Sequence, residues 1–367
     1  MFIHHLSLKN FRNYKSLDLC FNNHINIILG ENAQGKTNLV ESLYVLGFGK
    51  SFRTTQDKDL ILMSESFTHI SAQISKEDRE LQIDFKYNQQ QKKEIKINEV
   101  PLHKLSELIG EVNIVIFSPE DLQLIKGSPS LRRKYIDKSI SQIYPYYYSL
   151  LVDYNKVLKQ RNNLLKQKSV YDMIDIWDEQ LADLGSKIMS YRLDFLEELK
   201  KICYDIHFKI SQQREVLKIE YISNYLPKNL GDSDVYDKMY NGILKNLKTR
   251  LELDIRRGYT SVGPHRDDLL FYINDNESKK FGSQGQVRTT ALSLKLSEVI
   301  IIKKLLNENP ILILDDVLSE LDKIRQNQLI SYISDIQTFI TTTEINSILE
   351  DHLLDANIIQ IKDGSTI

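Results

Sequence analysis

The apolar positions of the first hundred residues predict short strands around one early helix. Ile3, Leu6 and Leu8 mark one strand, and Leu17, Leu19 and Phe21 a second. Asn26-Ile27-Ile28-Leu29 reads as a buried strand running straight into a glycine-rich turn, with a helix behind it from about Lys36 to Leu46. Thr68–Ile74, Glu80–Tyr87, Lys92–Ile97 and Asn113–Phe117 predict further strands. The pattern changes after Pro119. Tyr147, Leu150, Tyr154, Val157, Arg161 and Leu164 recur at spacings of three and four, as do Trp177, Leu181, Leu184, Ile188, Tyr191, Phe195, Leu199, Ile202 and Ile206. These are heptad-like stripes on two helices. The break between them, Lys168–Asp172, is short enough for an antiparallel hairpin. After residue 210 the texture changes back, with strands at Glu215–Ile222, Leu269–Ile273, Ile311–Leu314 and Thr338–Thr342 and helices at Asp234–Arg256, at Gln284–Leu306 and from Ser319. The expectation is an α/β head built from both chain ends, residues 1–118 and 211–367, with a helical hairpin arm over 119–210.

Composition narrows the class. A chain of 367 residues has room for two or three domains, and 41% hydrophobic with 27% charged residues excludes collagen-like, disordered and disulfide-scaffold chains. The only cysteines, Cys20 and Cys203, form neither a disulfide framework nor a zinc ligand set and fit a reducing cytoplasm. No stretch approaches the roughly 18 apolar residues of a membrane span, and the first residues lack a signal-peptide core, so a soluble cytoplasmic protein without membrane contact is expected.

Three segments carry candidate chemistry. Gly30-Glu31-Asn32-Ala33-Gln34-Gly35-Lys36-Thr37 fits G-x-x-x-x-G-K-[ST] between an apolar strand and a helix. Its backbone N–H groups and helix start suit phosphate, Lys36 suits the β- and γ-phosphates of ATP, and Thr37 suits Mg²⁺. Ile311 to Leu314 is an apolar strand ending in Asp315 and Asp316. The first carboxylate suits Mg²⁺, and the second can orient or deprotonate a water. Ser283-Gln284-Gly285-Gln286 opens the long helix; alone it is an ordinary N-cap, and between the other two motifs it is also a phosphate-ready loop.

In this order, GENAQGKT, SQGQ, ILILDD and then Ser319-Glu320-Leu321-Asp322 resemble the Walker A, signature, Walker B and D-loop of an ABC-type ATPase head. LKNFRNY (8–14), GENAQGKTNLVESLY (30–44), FSPEDLQLIKGSPSLRRKYID (117–137), SVGPHRDDL (261–269) and LDDVLSELD (314–322) narrow the resemblance to the RecF family of the SMC-like branch, over nearly the whole chain. The resemblance implies an ATP-dependent homodimer that binds DNA, double-stranded or at a junction, hydrolyses ATP slowly, and works with RecO- and RecR-type mediator proteins in recombinase loading and SOS induction. It implies nucleotide contacts along Gly30–Asn38, a signature loop Ser283–Gln286 acting in trans, and D-loop residues Ser319 and Asp322. Arg12 resembles a phosphate- or base-contacting arginine and also reads as a surface arginine. In the wider pattern Asp316 replaces Glu, Thr342-Thr343 stands where a switch His is expected, and either Ser118 or Gln123 occupies the place of the Mg²⁺-contacting Gln.

Net charge is only −2, so a DNA contact requires local patches. Lys126 to Lys168 holds ten Lys or Arg against Asp137 and Asp153, while Tyr171–Lys200 holds eight acids against three bases. A basic stripe with tyrosines suits phosphates, with Arg132, Arg133 and Lys134 the expected contacts; neutralisation of one helix by the other is the alternative. His265-Arg266 is expected at DNA or at the signature loop. The rival classes are a transporter-type nucleotide-binding subunit, a small-molecule P-loop kinase and a clamp that binds ATP without hydrolysing it.

Overall fold

The computed structural model describes residues 1–77, 79–90, 93–167, 173–226, 234–333, 335–345 and 356–367. The chain divides into two compact units, Met1–Leu122 with Asp205–Arg214 and Arg288–Ile367, and Gln123–Tyr204 with Glu215–Val287.

In the first unit the chain runs through β1 (Phe2–Phe11), β2 (Tyr14–Cys20), β3 (Ile25–Leu29), α1 (Lys36–Phe48), β4 (Phe67–Lys76), β5 (Arg79–Asn88), β6 (Glu94–Ile97), β7 (Val100–Pro101) and β8 (Ile114–Phe117). The second unit holds α2 (Gln123–Lys126), α3 (Pro129–Ile143), α4 (Pro145–Gln167), most of α5 (Ile174–Ile210), β9 (Leu217–Ile222), α6 (Val235–Thr249), α7 (Leu251–Arg257), β10 (Asp268–Ile273), β11 (Asn276–Glu277) and α8 (Ser278–Phe281). Then come α9 (Gln284–Leu306), β12 (Ile311–Asp315), α10 (Lys323–Ile333), β13 (Thr338–Thr342), β14 (Asn357–Lys362) and β15 (Ser365–Thr366).

Two sheets build the first unit. One is antiparallel, in the order β2-β1-β4-β5-β6-β7; the other, β15-β14-β3-β13-β12-β8, is parallel except at its β15 edge. In the first, Leu6 and Leu8 alternate inward as a half-buried strand requires, and a register shift between Ile3 and His5 accounts for the three-residue step from buried Ile3 to Leu6. In the second, β8, β12 and β13 are buried at every position, so they read as continuous apolar or Thr-rich runs. Helix α1 packs against strands of both sheets, and eleven of its thirteen residues are buried. That explains why it is apolar on all sides rather than amphipathic. At Gly47 an added Cβ would lie 3.0 Å from the Val112 carbonyl oxygen, so a side chain there would force α1 off the parallel sheet.

The second unit carries a β11-β10-β9 sheet as well as helices. Residues 215–287, expected in the head, group with the helices because among the described residues β9 and β10 pair only with each other and β11, and α3 packs on β10. The helical stretch contains three long helices, because Pro145 ends α3 and starts α4. The expected break at Lys168–Asp172 and the expected strand start at Lys92 lie outside the described residues. The stripe on α4 is buried at Tyr147, Leu150, Tyr154, Val157 and Arg161 and continues through Leu165 rather than Leu164.

Arginines of that unit lie within its core, Arg161 and Arg192 among them. Arg161 donates to Asp178 at 2.6 Å, to Asp254 at 3.0 Å and to Thr260 Oγ1 at 3.0 Å. Arg192 meets Asp137 at 2.9 Å and the Pro264 carbonyl at 2.8 Å. Such groups stabilise little compared with an apolar isostere, but removing one partner strands a buried charge. Between α4 and α5, therefore, charge balance is achieved partly inside the fold rather than along its edges.

Candidate nucleotide site

The P-loop sits where β3, the strand between β13 and β14, runs into α1. Gly30 N–H donates to the Thr342 carbonyl at 3.3 Å, tying the loop's start to β13. Ala33 (φ 66°) and Gly35 (φ 119°) take left-handed backbone, the kind of turn that gathers N–H groups into an anion-binding concavity. The loop is braced from outside. Tyr14 OH donates to the Gly35 carbonyl at 2.9 Å, Asn13 Nδ2 to the Gln34 carbonyl at 3.0 Å, and the Asp363 N–H to Gln34 Oε1 at 2.6 Å. A Cβ at Gly35 would collide with Asn13 at 2.6 Å, so glycine is required by contact as well as by φ. Glu31, Asn32 and Ala33 are exposed at the lip.

Lys36, buried at the first position of α1, donates from Nζ to the carbonyls of Gly30 (2.6 Å) and Glu31 (2.9 Å). Burial lowers its pKa, while Asp316 and Asp315 pull it back up. Thr37 Oγ1 donates to Asp315 Oδ1 at 3.1 Å, which places two hard oxygens together. Burial raises the Asp315 pKa against the hydrogen bonds from Thr341 and Thr37. A divalent cation would relieve that cost, so this donor set fits Mg²⁺. Thr341 Oγ1 donates to Asp315 Oδ1 at 2.7 Å and accepts the Asp316 N–H at 2.9 Å. Asp316 takes left-handed backbone (φ 54°), and Ser319 Oγ donates to its carbonyl at 2.9 Å and its carboxylate at 3.2 Å. Asp322 accepts the Arg325 N–H at 3.0 Å, capping α10, and pairs with the Arg325 guanidinium.

Arg12 is no solvated surface residue. Its guanidinium grips both oxygens of fully buried Glu41, at 2.8 and 2.6 Å, and the Asp59 carbonyl at 2.6 Å. Glu41 also accepts from Ser51 and pairs with Arg53, which donates to Asn38 at 2.7 Å; Asn38 in turn donates to Asn13 at 2.8 Å. Asn13, Tyr14, Glu41 and Thr341 were not singled out from the sequence. Asn13 and Tyr14 lie in the LKNFRNY segment, but nothing in their residue types marks them as braces.

In the second unit Ser283 and Gln286 form a reciprocal cap: Gln286 N–H donates to Ser283 Oγ at 3.2 Å, and Ser283 N–H to Gln286 Oε1 at 2.9 Å. Ser283 and Gln284 are exposed at the start of α9, so the N-cap reading holds and the loop still faces outward. The basic triplet needs correction. Arg132 is 2% exposed, with bonds to Asp268 at 2.7 and 2.9 Å and to the Gly127 carbonyl at 3.0 Å, so it has no surface to offer DNA. Arg133 donates to the Asp267 carbonyl at 2.6 Å, and only Lys134 is exposed. His265 is likewise internal, held by Tyr154 OH at 2.7 Å and the Thr260 carbonyl at 3.1 Å. Ser118 Oγ is engaged with Glu120 and Asp121, and Gln123 is exposed.

A P-loop on β3, paired carboxylates at the end of β12 and a capped Ser-x-Gly-Gln helix start define an ABC-type ATPase head of the SMC kind. A model of the RecF/RecN/SMC N terminal domain matches residues 2–363. The DNA replication and repair protein RecF of Clostridium tetani (strain Massachusetts / E88) is 44% identical over 369 residues, spanning all of both chains. That of Clostridioides difficile (strain 630) is 46% identical over 342 residues, 93% of this chain and 91% of its own. This chain belongs to the RecF family. A solved structure of the recombination mediator protein RecF with ATP, in the RecFOR pathway, superposes with a TM-score of 0.91 at 37% identity, over 100% of this chain and 97% of that one. An Smc head bound to the C-winged helix domain of ScpA (TM-score 0.59, 16% identity, 100% and 96% covered) shares the fold. Among the described residues no helix is long and apolar enough to cross a membrane.

Proposed function

We propose that this protein is an ATP-dependent DNA-binding protein of replication and recombinational repair. Two copies close on ATP, hold DNA, and release it on slow hydrolysis. The observation that carries the reading is the meeting of Thr37 and Asp315 at 3.1 Å beside Lys36 and Asp316, at the ends of β3 and β12. Support comes from the names of the relatives and from the ATP in the related RecF structure.

The residues divide the work. Backbone N–H groups of 30–37 and the start of α1 hold the phosphates, and Lys36 exchanges its two carbonyl partners for the β- and γ-phosphate oxygens. Thr37 and Asp315 would hold Mg²⁺, which would neutralise phosphate charge. Asp316 orients the attacking water and accepts its proton. Its carboxylate is one methylene shorter than the Glu of the wider pattern, and Thr342-Thr343 brings no imidazole, so turnover is slow. Exposed Ser283 and Gln284 contact the nucleotide held by the other copy. Recombination mediators of the RecO and RecR kind then act on the DNA-bound dimer, in recombinase loading at gaps and in SOS induction, in the cytoplasm.

Measuring ATP hydrolysis and DNA binding together tests this. Wild type should hydrolyse ATP slowly and hold DNA only with ATP, and Lys36→Met should lose both. Wild-type turnover in Lys36→Met would overturn the nucleotide-site assignment.

A further inference from the structure

Three arginines of the second unit are taken up inside it: Arg132, Arg161 and Arg192 are each 2% exposed or less. One group of exposed cations in that unit gathers around α7. Arg250 precedes α7 and Arg256 and Arg257 end it, all three exposed. Arg250 and Arg257 are seven residues apart, two helical turns, so they lie on one face about 10.5 Å apart. Lys166, near the end of α4, joins them. Its Cγ would lie 3.4 Å from a Cβ at Gly258, the residue following Arg257. One turn before it, Asn162 accepts the Thr260 N–H at 2.7 Å, which fixes α4 against this turn. Exposed Arg266 stacks on the half-exposed ring of Tyr259, 4.8 Å from its centroid.

Acidic compensation is slight. Asp254, one of the two acids of α7, is fully buried on Arg161. Glu252 reaches only Arg256, at 3.8 Å, with both side chains at least 75% exposed, a pair worth little in water. Lys166, Arg250 and Arg257 make no ion pair with a described residue.

We infer that the face formed by Lys166, Arg250, Arg256, Arg257 and Arg266 around Tyr259 holds the sugar-phosphate backbone of DNA. This rests on the functional reading above and gives it a surface. A strand of duplex presents a charge about every 3.4 Å along its axis, so a row of two helical turns spans about three phosphates. Guanidinium forks match phosphate oxygens, and a tyrosine hydroxyl is a common backbone contact. Neither group reads sequence, so this face binds DNA by charge and shape.

The test is Arg256→Glu/Arg257→Glu in the full chain with ATP, titrated with a duplex oligonucleotide at several salt concentrations. Affinity should fall at least tenfold at the lowest salt, and the slope of log affinity against log salt should become shallower by about two, with ATP affinity unchanged. Lys166→Glu/Arg250→Glu, on a different helix and loop, should behave alike and stands in should the first variant misfold. Unchanged affinity and slope in both variants would overturn the inference. So would intact DNA binding with loss of an acidic protein partner, which would reassign the face to that partner. A wild type that holds no DNA counts against the functional reading itself, whereas a wild type and variants that bind equally count against this face alone.

Discussion

Thr341 holds Asp315 through a 2.7 Å hydrogen bond from its hydroxyl, and the same oxygen accepts the N–H of Asp316 at 2.9 Å. One buried side chain on β13 thus fixes the carboxylate of Asp315 and the backbone of Asp316 at the end of β12. It stands one residue before the Thr342-Thr343 pair, where the wider pattern expects a histidine. Thr341→Val keeps the shape and removes the hydroxyl. A buried N–H left without a partner costs about 1–3 kcal/mol. We expect turnover to fall 10- to 100-fold and the Mg²⁺ requirement to rise, with ATP binding retained. Thr341→Ser should restore both, and a Val variant with wild-type Mg²⁺ dependence would remove Thr341 from this role.

Asp316→Asn separates binding from hydrolysis. The amide keeps its size and its contact with Ser319 but cannot take a proton. ATP binding should persist, hydrolysis should drop at least 100-fold, and the complex with DNA should outlive that of wild type. A DNA-dissociation time course with ATP reads the outcome. Normal turnover would place the base elsewhere.

Arg132 gives the opposite expectation to its reading from sequence. Arg132→Ala takes the guanidinium from Asp268 and from the Leu124 and Gly127 carbonyls, a loss of about 3 kcal/mol for a buried pair broken on one side. The melting temperature should fall, while DNA affinity per folded molecule and its salt slope should not change. A stable variant with weakened DNA binding would return Arg132 to the DNA surface.

That reversal shows where sequence legibility ended. β3, α1, α9, β12 and β13 were legible because strong apolar runs meet local motifs, and each motif is a contiguous segment whose chemistry needs its own backbone. Burial of a charge is different. Arg132 and Arg161 look alike in a basic run, and the return of Asp268 and Asp254 from more than ninety residues downstream, with Asp178 on the next helix, helps to take them inside. Arg161 did carry a trace of this, since it falls on the apolar stripe of α4. The units differ from that expectation for the same reason: residues 215–287 look like head α/β sequence, yet their strands pair among themselves. Asn13, Tyr14 and Thr341 brace the site through contacts that no local pattern encodes.

His265 gives the fold a pH dependence. The Thr260 carbonyl can only accept, so Nε2 carries the proton and Nδ1 accepts from Tyr154 OH. Burial lowers the imidazole pKa to about 4, with the Thr260 bond opposing and Arg266, Arg133 and Arg192 adding to the drop. The unfolded chain takes up a proton near pH 6.5 and the folded one only near 4. Stability should therefore be complete above pH 6.5 and fall as pH drops from there to 4. Urea unfolding of wild type and His265→Gln across that range checks this; the variant should lose part of the slope.

The signature loop supplies the last expectation. Ser283 and Gln284 are exposed, and the chain carries one P-loop and one Ser-x-Gly-Gln segment. If each loop completes the site of the other copy, a two-fold dimer has two composite sites. Ser283→Arg then blocks closure as fully as Lys36→Met blocks nucleotide use, although the two residues serve different copies' sites. Mixing the inactive variants puts both substitutions in one site of a mixed dimer and neither in the other. ATP hydrolysis should reappear in the mixture, rising with protein concentration as dimers form, and at less than half of wild type where the two sites are coupled. Loops acting within their own chain would leave the mixture inactive at every concentration. A wild type that sediments as a monomer with ATP would exclude the closing dimer altogether.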